Sequence, residues 1–235
     1  MRFIADVHTH TLASGHAYGT IREMAYAASE QKLEILGITE HAPGIPGTVD
    51  PFYYNNLIAI PRTLYGVKLI HGCEINVLND GALSLEEKYI QKLDYAIAGI
   101  HVQCYRDAGR QENTNNIISC MKHPKIKLIS HPDDDNTPLD YEALVQAARD
   151  TNTALEVNNS SLVKKDRRLH CYENYRTMLR LCQSFSVPVI VNSDAHDPSW
   201  IGRFELAEEL LKEVAFPESL VLNTNVEKLL SFLLR

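Results

Sequence analysis

The chain has 235 residues, 45% of them apolar, with a formal net charge of −7. That length suits one large α/β domain spanning 1–235. The acidic balance disfavours a nucleic-acid partner, which needs a basic face, yet bound cations could still attract an anionic ligand. No stretch approaches the ~18–20 apolar residues of a membrane helix, and no secretory leader heads MRFIADVHTH, so the expected location is the cytoplasm. The five cysteines, Cys73, Cys104, Cys120, Cys171 and Cys182, are odd in number and form no C-x-x-C pair. That argues against a disulfide framework and a zinc ribbon.

In chain order, β-branched apolar runs alternate with helical patterns. The pattern predicts a strand at 3–7, a helix at 21–31, and strands at 35–39 and 68–70. A helix at 85–92 follows, then a strand at 95–98, a helix at 115–122, a strand at 127–130 and a helix at 141–150. The last predicted elements are a strand at 154–157, a helix at 172–185, a strand at 189–192, a helix at 206–214 and a short amphipathic helix at 226–234. Such alternation predicts parallel strands buried under helices. Seven strands fit an incomplete (β/α) barrel, with an open doubly wound sheet as the alternative. No G-x-G-x-x-G or G-x-x-x-x-G-K-[ST] follows any strand.

The ten histidines carry the chemical signal. His8 and His10 follow FIADV, His41 follows ILGIT, His101 follows YAIAGI and His131 follows KLIS. Glu74 follows KLIHGC, Asp194 and His196 follow VIVNS, and His16 lies in the loop after the first strand. The C-terminal edge of a parallel sheet is where catalytic groups collect. Each residue alone has an ordinary explanation as a hydrogen-bonded or surface side chain. The conjunction is specific. His8-x-His10 and Asp194-x-His196 can each hold one metal ion, because alternate residues project to one side. In a closed barrel the first and last strands are neighbours, so all these groups would share one mouth. Packed there without cations they would be poorly satisfied.

These segments resemble the PHP (polymerase and histidinol phosphatase) family, and most closely its small stand-alone phosphatases of the YcdX type. The matching pieces are DVHTHTLASGHAYGT, LGITEHAPG, GCEINV, AGIHV, LISHPD, LEVNNSS and NSDAH, in family order. The resemblance implies a distorted seven-stranded (β/α)7 TIM-like barrel and three divalent ions, zinc foremost, with manganese or iron open. Carried over, His8, His10, Glu74 and Asp194 hold one ion. Glu74, His101 and His131 hold a second, and His16, His41 and His196 a third. Glu40 departs from the family, which has Asp before the second-motif His; the change leaves the surroundings of the ligands, not metal binding, in question.

The implied activity is phosphomonoester hydrolysis of a small phosphorylated metabolite by a metal-activated hydroxide, with Glu74, Asp194 and His131 as catalytic residues. A phosphodiesterase or exonuclease is the second reading, histidinol phosphatase proper a third, and a non-catalytic structural module a fourth, disfavoured because all nine ligand positions are filled. No membrane partner is expected, and a homo-oligomer stays open. Ser160 and Ser161 lack a nucleophile elbow, and Cys73 reads as core. Asn158 and Asn159 suit either support of the metal shell or a turn. Lys164, Lys165, Arg167 and Arg168 read first as a solvated loop and second as a phosphate contact; Arg62 and Arg203 are weaker candidates. His71 reads as a strand residue, His123 and His170 as surface.

Overall fold

The computed structural model describes residues 1–234. Among them, seven parallel strands form a nearly closed barrel in the order β1 (Ala5–Asp6), β2 (Ile35–His41), β4 (Val67–Asn76), β5 (Ala96–Gly99), β6 (Ile126–Ile129), β7 (Ala154–Asn158) and β8 (Val189–Asn192). A short strand, β3 (Thr63–Leu64), pairs antiparallel with the start of β4. The barrel expected from the alternation is therefore present, and the open sheet is not.

Helices α1 (Ile21–Glu30), α2 (Glu87–Ile90), α3 (Arg110–Met121), α4 (Tyr141–Thr151), α6 (Cys171–Phe185) and α7 (Glu205–Glu213) follow the predicted order; the short α5 (Asn159–Val163) was not predicted. Helix α1 starts with a capping box between Thr20 and Glu23. Helix α3 begins five residues before the predicted start. Its buried side includes Asn113, Thr114 and Asn116, so apolar spacing could not reveal it. Asn113 is satisfied by Tyr105, Ala108, Asp107 and the Pro138 carbonyl.

One apolar cluster lies outside the strands, under the helices. A second lies within the barrel and includes Val7, Ile35, Ile70, Ile97, Leu128 and Ile190. Helix α8 (Val226–Leu233) supplies Leu229 and Leu233 to this inner cluster. Ligand-type side chains occupy the C-terminal strand ends, so the mouth is left to polar chemistry. No helix of the described residues is long and apolar enough to cross a membrane.

The seam between β1 and β8 is held by side chains. Asn223 donates to the carbonyls of Ala5 and Val191 and accepts from the Val191 N–H. Asn192 accepts from the Val7 N–H, and Ser193 donates to Asp6. Seam geometry sets how the two outer motifs meet. Asn223→Ala strands three buried backbone groups and is expected to cost at least about 2 kcal/mol, read as a lower urea midpoint.

His71 points into the outer core, and neither ring nitrogen has a hydrogen-bond partner. Burial, reinforced by Arg62 and opposed by Asp94, lowers its pKa to about 4. As pH falls from about 6.5 toward 4, the unfolded chain binds a proton that folded His71 refuses, so stability declines through that window. His71→Leu is expected to recover about 2 kcal/mol of the loss between pH 7 and about pH 4.5, read from urea midpoints at both values.

Candidate metal centre

All nine residues picked out in the sequence meet at the barrel mouth. Glu74 is their hub. Its Oε1 lies 2.9 Å from His131 Nε2 and 3.2 Å from His101 Nε2. Its Oε2 lies 3.2 Å from His8 Nε2, 3.5 Å from His10 Nε2 and 3.0 Å from His41 Nδ1. Asp194 Oδ1 lies 3.3 Å from His10 Nε2 and 3.7 Å from His8 Nε2. Ligand-type atoms cluster within 4.8 Å of one another in three overlapping sets: His8, His10 and Asp194; His41, Glu74 and His101; and His10, His41 and His196.

Glu74 sits inside β4 rather than beyond its end, because that strand runs six residues past the predicted stop. Its neighbour Cys73 faces the outer core, as alternation requires. His131 and Asp194 leave their strands with φ of 31° and 52°, in the left-handed region that bulky residues rarely adopt. Such strain persists where the surroundings enforce it. At Gly99, a Cβ would lie 2.1 Å from Ser130 Oγ, so glycine leaves room for Ser130 to donate to Glu74 Oε1 at 2.7 Å.

Hydrogen-bond partners fix the ring tautomers. His16 Nδ1 lies 3.1 Å from the Ser14 carbonyl and His196 Nδ1 lies 3.0 Å from the Asp194 carbonyl. A carbonyl only accepts, so both Nδ1 atoms carry the proton. Their Nε2 atoms face each other at 3.2 Å. Partial burial, with His196 and His41, lowers the His16 pKa, and burial lowers that of His196 despite Asp194. His10 donates Nδ1–H to Ser14 Oγ, which donates onward to Glu40. His101 donates Nδ1–H to Asn76 Oδ1. Burial, with His41 and His196, holds the His10 pKa well below its usual range.

The Nε2 atoms of His8, His10 and His101, His41 Nδ1 and Glu74 Oε2 are buried with no hydrogen-bond partner. Unpaired buried polar atoms are costly. Two donors on a tetrahedral zinc ion stand about 3.3 Å apart, which falls within the observed spacings. The residues fit divalent cations.

A cleft of about 350 Å³ opens from this cluster, and Lys164 and Arg167 help line it. Neither has an acidic partner among the described residues. Arg168, grouped with them in the sequence, is instead locked to Asp133 through two hydrogen bonds and to the His131 carbonyl. Lys165 is exposed outside the cleft lining. Arg62 pairs with Asp94 and Arg203 with Glu205, both away from the cleft. His123 bonds Glu87, and His170 bonds Asp135 at the surface.

The PHP domain model matches residues 6–160, which hold seven of these nine positions. The chain belongs to the PHP family. A probable phosphatase of Clostridium novyi is 39% identical over 234 residues, covering 99% of this chain and 95% of its own. One from Acetivibrio thermocellus is 39% identical over 229 residues, covering 97% and 94%. The PHP barrel is also similar to the crystal structure of histidinol phosphate phosphatase from Lactococcus lactis, complexed with zinc, L-histidinol and phosphate. That likeness has a TM-score of 0.62 at 15% identity and covers 91% of this chain and 94% of the other. A chain of archaeal ribonuclease P shares the fold with a TM-score of 0.56 at 17% identity, covering 90% and 88%.

Residues whose roles the sequence left open find partners around this PHP site. Glu40 accepts from the Thr11 N–H, Thr11 Oγ1 and Ser14 Oγ, so the longer carboxylate reaches His10 through Ser14. Asn158 donates to Glu156 and Asp194 while capping α5, which joins its two expected roles. Asn159 accepts from the first N–H groups of α7 and is structural. Glu156, fully buried in β7, was missed altogether. A lone carboxylate within an apolar strand was the available signal.

Ser14→Ala removes the partner of His10 Nδ1 and of the His41 N–H. It is expected to weaken zinc binding about 10-fold at the affected position, read by competition with a chromophoric chelator.

Proposed function

We propose that the chain is a metal-dependent phosphomonoesterase acting on a small phosphorylated metabolite, with three divalent ions at the barrel mouth. His8, His10, Glu74 and Asp194 hold one ion in this reading. Glu74, His101 and His131 hold the second, and His16, His41 and His196 the third. Imidazole and carboxylate donors suit zinc, manganese or iron. The observation that carries the reading is the ring of buried polar atoms around Glu74: the Nε2 atoms of His8, His10 and His101, His41 Nδ1 and Glu74 Oε2 have no hydrogen-bond partner.

When bound, the ions would neutralise phosphate oxygens and acidify a water. The chain's own residues prepare the site. Glu74 presents one oxygen to His101 and His131 and the other to His8, His10 and His41. Burial opposes ionisation of Glu74, but His8, His101 and His41 outweigh it and hold its pKa well below the carboxylate range. Asp194 is held down likewise against burial, chiefly by His8 and His10. Both therefore stay ionised and accept hydrogen bonds as full carboxylates. Glu74, Asp194 and His131 border the cleft, and the reading places the reacting phosphate against them. Lys164 and Arg167 add positive charge to the cleft lining. Its volume of about 350 Å³ suits a metabolite rather than a polynucleotide.

The test is metal analysis with hydrolysis of p-nitrophenyl phosphate and of bis-p-nitrophenyl phosphate. Two or three bound ions, preferred turnover of the monoester and loss of activity with a chelator are expected. Preferred turnover of the diester supports the phosphodiesterase reading; fewer than two ions and no turnover support a structural module. Glu74→Ala is expected to lower kcat/KM at least about 100-fold, whereas Lys212→Ala, at an exposed position of α7, leaves it unchanged. Near-wild-type activity of Glu74→Ala rejects its central role.

A further inference from the structure

Glu156 is fully buried in β7, and four donors converge on it. His8 Nδ1 and Asn192 Nδ2 reach Oε1 at 2.7 and 2.8 Å. The His131 backbone N–H and Asn158 Nδ2 reach Oε2 at 2.8 and 3.0 Å. On their other sides the same two histidines converge on Glu74. His8 Nε2 lies 3.2 Å from its Oε2, and His131 Nε2 lies 2.9 Å from its Oε1. Glu156, His8, Glu74 and His131 thus form a closed ring of contacts.

No strand pairing joins the two histidines directly. His8 follows β1, which pairs with β2; His131 follows β6, which pairs with β5 and β7. Glu156 spans the two on the side away from Glu74. It also grips His131 where the backbone is strained, at a φ of 31°. The His131 carbonyl, at the other end of the residue, is held by Arg168.

We propose that Glu156 is a positioning residue that fixes His8 and His131 relative to Glu74, so that two ion positions form together and fill cooperatively. The inference rests on the metal reading above. Charge and shape both matter. All four neighbours donate, and only a carboxylate accepts at both oxygens; a glutamine amide would turn N–H groups toward two donors. The bond to Nδ1 also keeps the proton there and leaves His8 Nε2 to face Glu74.

The experiment titrates the metal-free full chain with zinc against a chromophoric chelator, and with cobalt by its visible spectrum. Wild type is compared with Glu156→Gln, Glu156→Asp and Glu40→Gln. Circular dichroism and thermal unfolding of each metal-free variant report folding. Glu156→Gln is expected to weaken two ions together, each about 10- to 100-fold, and to abolish their cooperativity. Glu156→Asp, which keeps the charge, is expected to restore part of both affinities. Glu40→Gln, acting through Ser14 and His10, is expected to weaken one. If Glu156→Gln does not fold, Glu156→Asp decides: weakening of both ions supports the proposal, and wild-type affinity overturns it. Wild-type binding by folded Glu156→Gln, or weakening of one ion alone, overturns the proposal and leaves the metal reading standing. Fewer than two ions on the wild-type chain overturns both.

Discussion

Lone pairs crowded together at one end of a barrel are the constraint on which the rest of this structure depends. Five rings, those of His8, His10, His16, His101 and His196, engage Nδ1 with an oxygen and turn Nε2 inward. Glu74 and Asp194 add carboxylate oxygens at 2.9 to 3.7 Å. Without cations, protons must moderate the repulsion. His8 shows the effect: burial works against its charge, yet Glu156, Glu74 and Asp194 raise its pKa well above the usual value. Divalent ions would satisfy the same oxygens and nitrogens without protonating the rings.

The barrel makes the crowding affordable by separating two kinds of interior. Apolar side chains and the end of α8 fill its lower part, while the strand ends supply polar groups above. Partners then orient these groups one by one: Ser14 and Glu40 for His10, Asn76 for His101, Glu156 for His8 and His131. Asn223, Asn192 and Asp6 join the seam so that the first and last motifs meet. The geometry of the mouth and the stability of the fold therefore draw on the same buried polar groups.

Much of this was legible in the sequence because it follows short periods. Alternation by two residues exposed His8-x-His10 and Asp194-x-His196, and strand ends placed the single residues between them. The nine side chains meet as that reasoning required. What stayed hidden depends on contacts remote in the chain or on polar burial. Helix α3 buries asparagines and so shows no apolar stripe at its start. Arg168 resembles its solvated neighbours in sequence, yet its partner Asp133 lies 35 residues away. Glu156 gains its role from four donors on three other segments and on its own strand, which no local pattern encodes.

The most direct measurement is anomalous X-ray diffraction at the zinc edge from crystals grown with zinc. Peaks are expected on both sides of the Glu74 carboxylate, with a third between His16 and His196. A map at full zinc saturation with no anomalous peak in contact with Glu74 would contradict the metal reading.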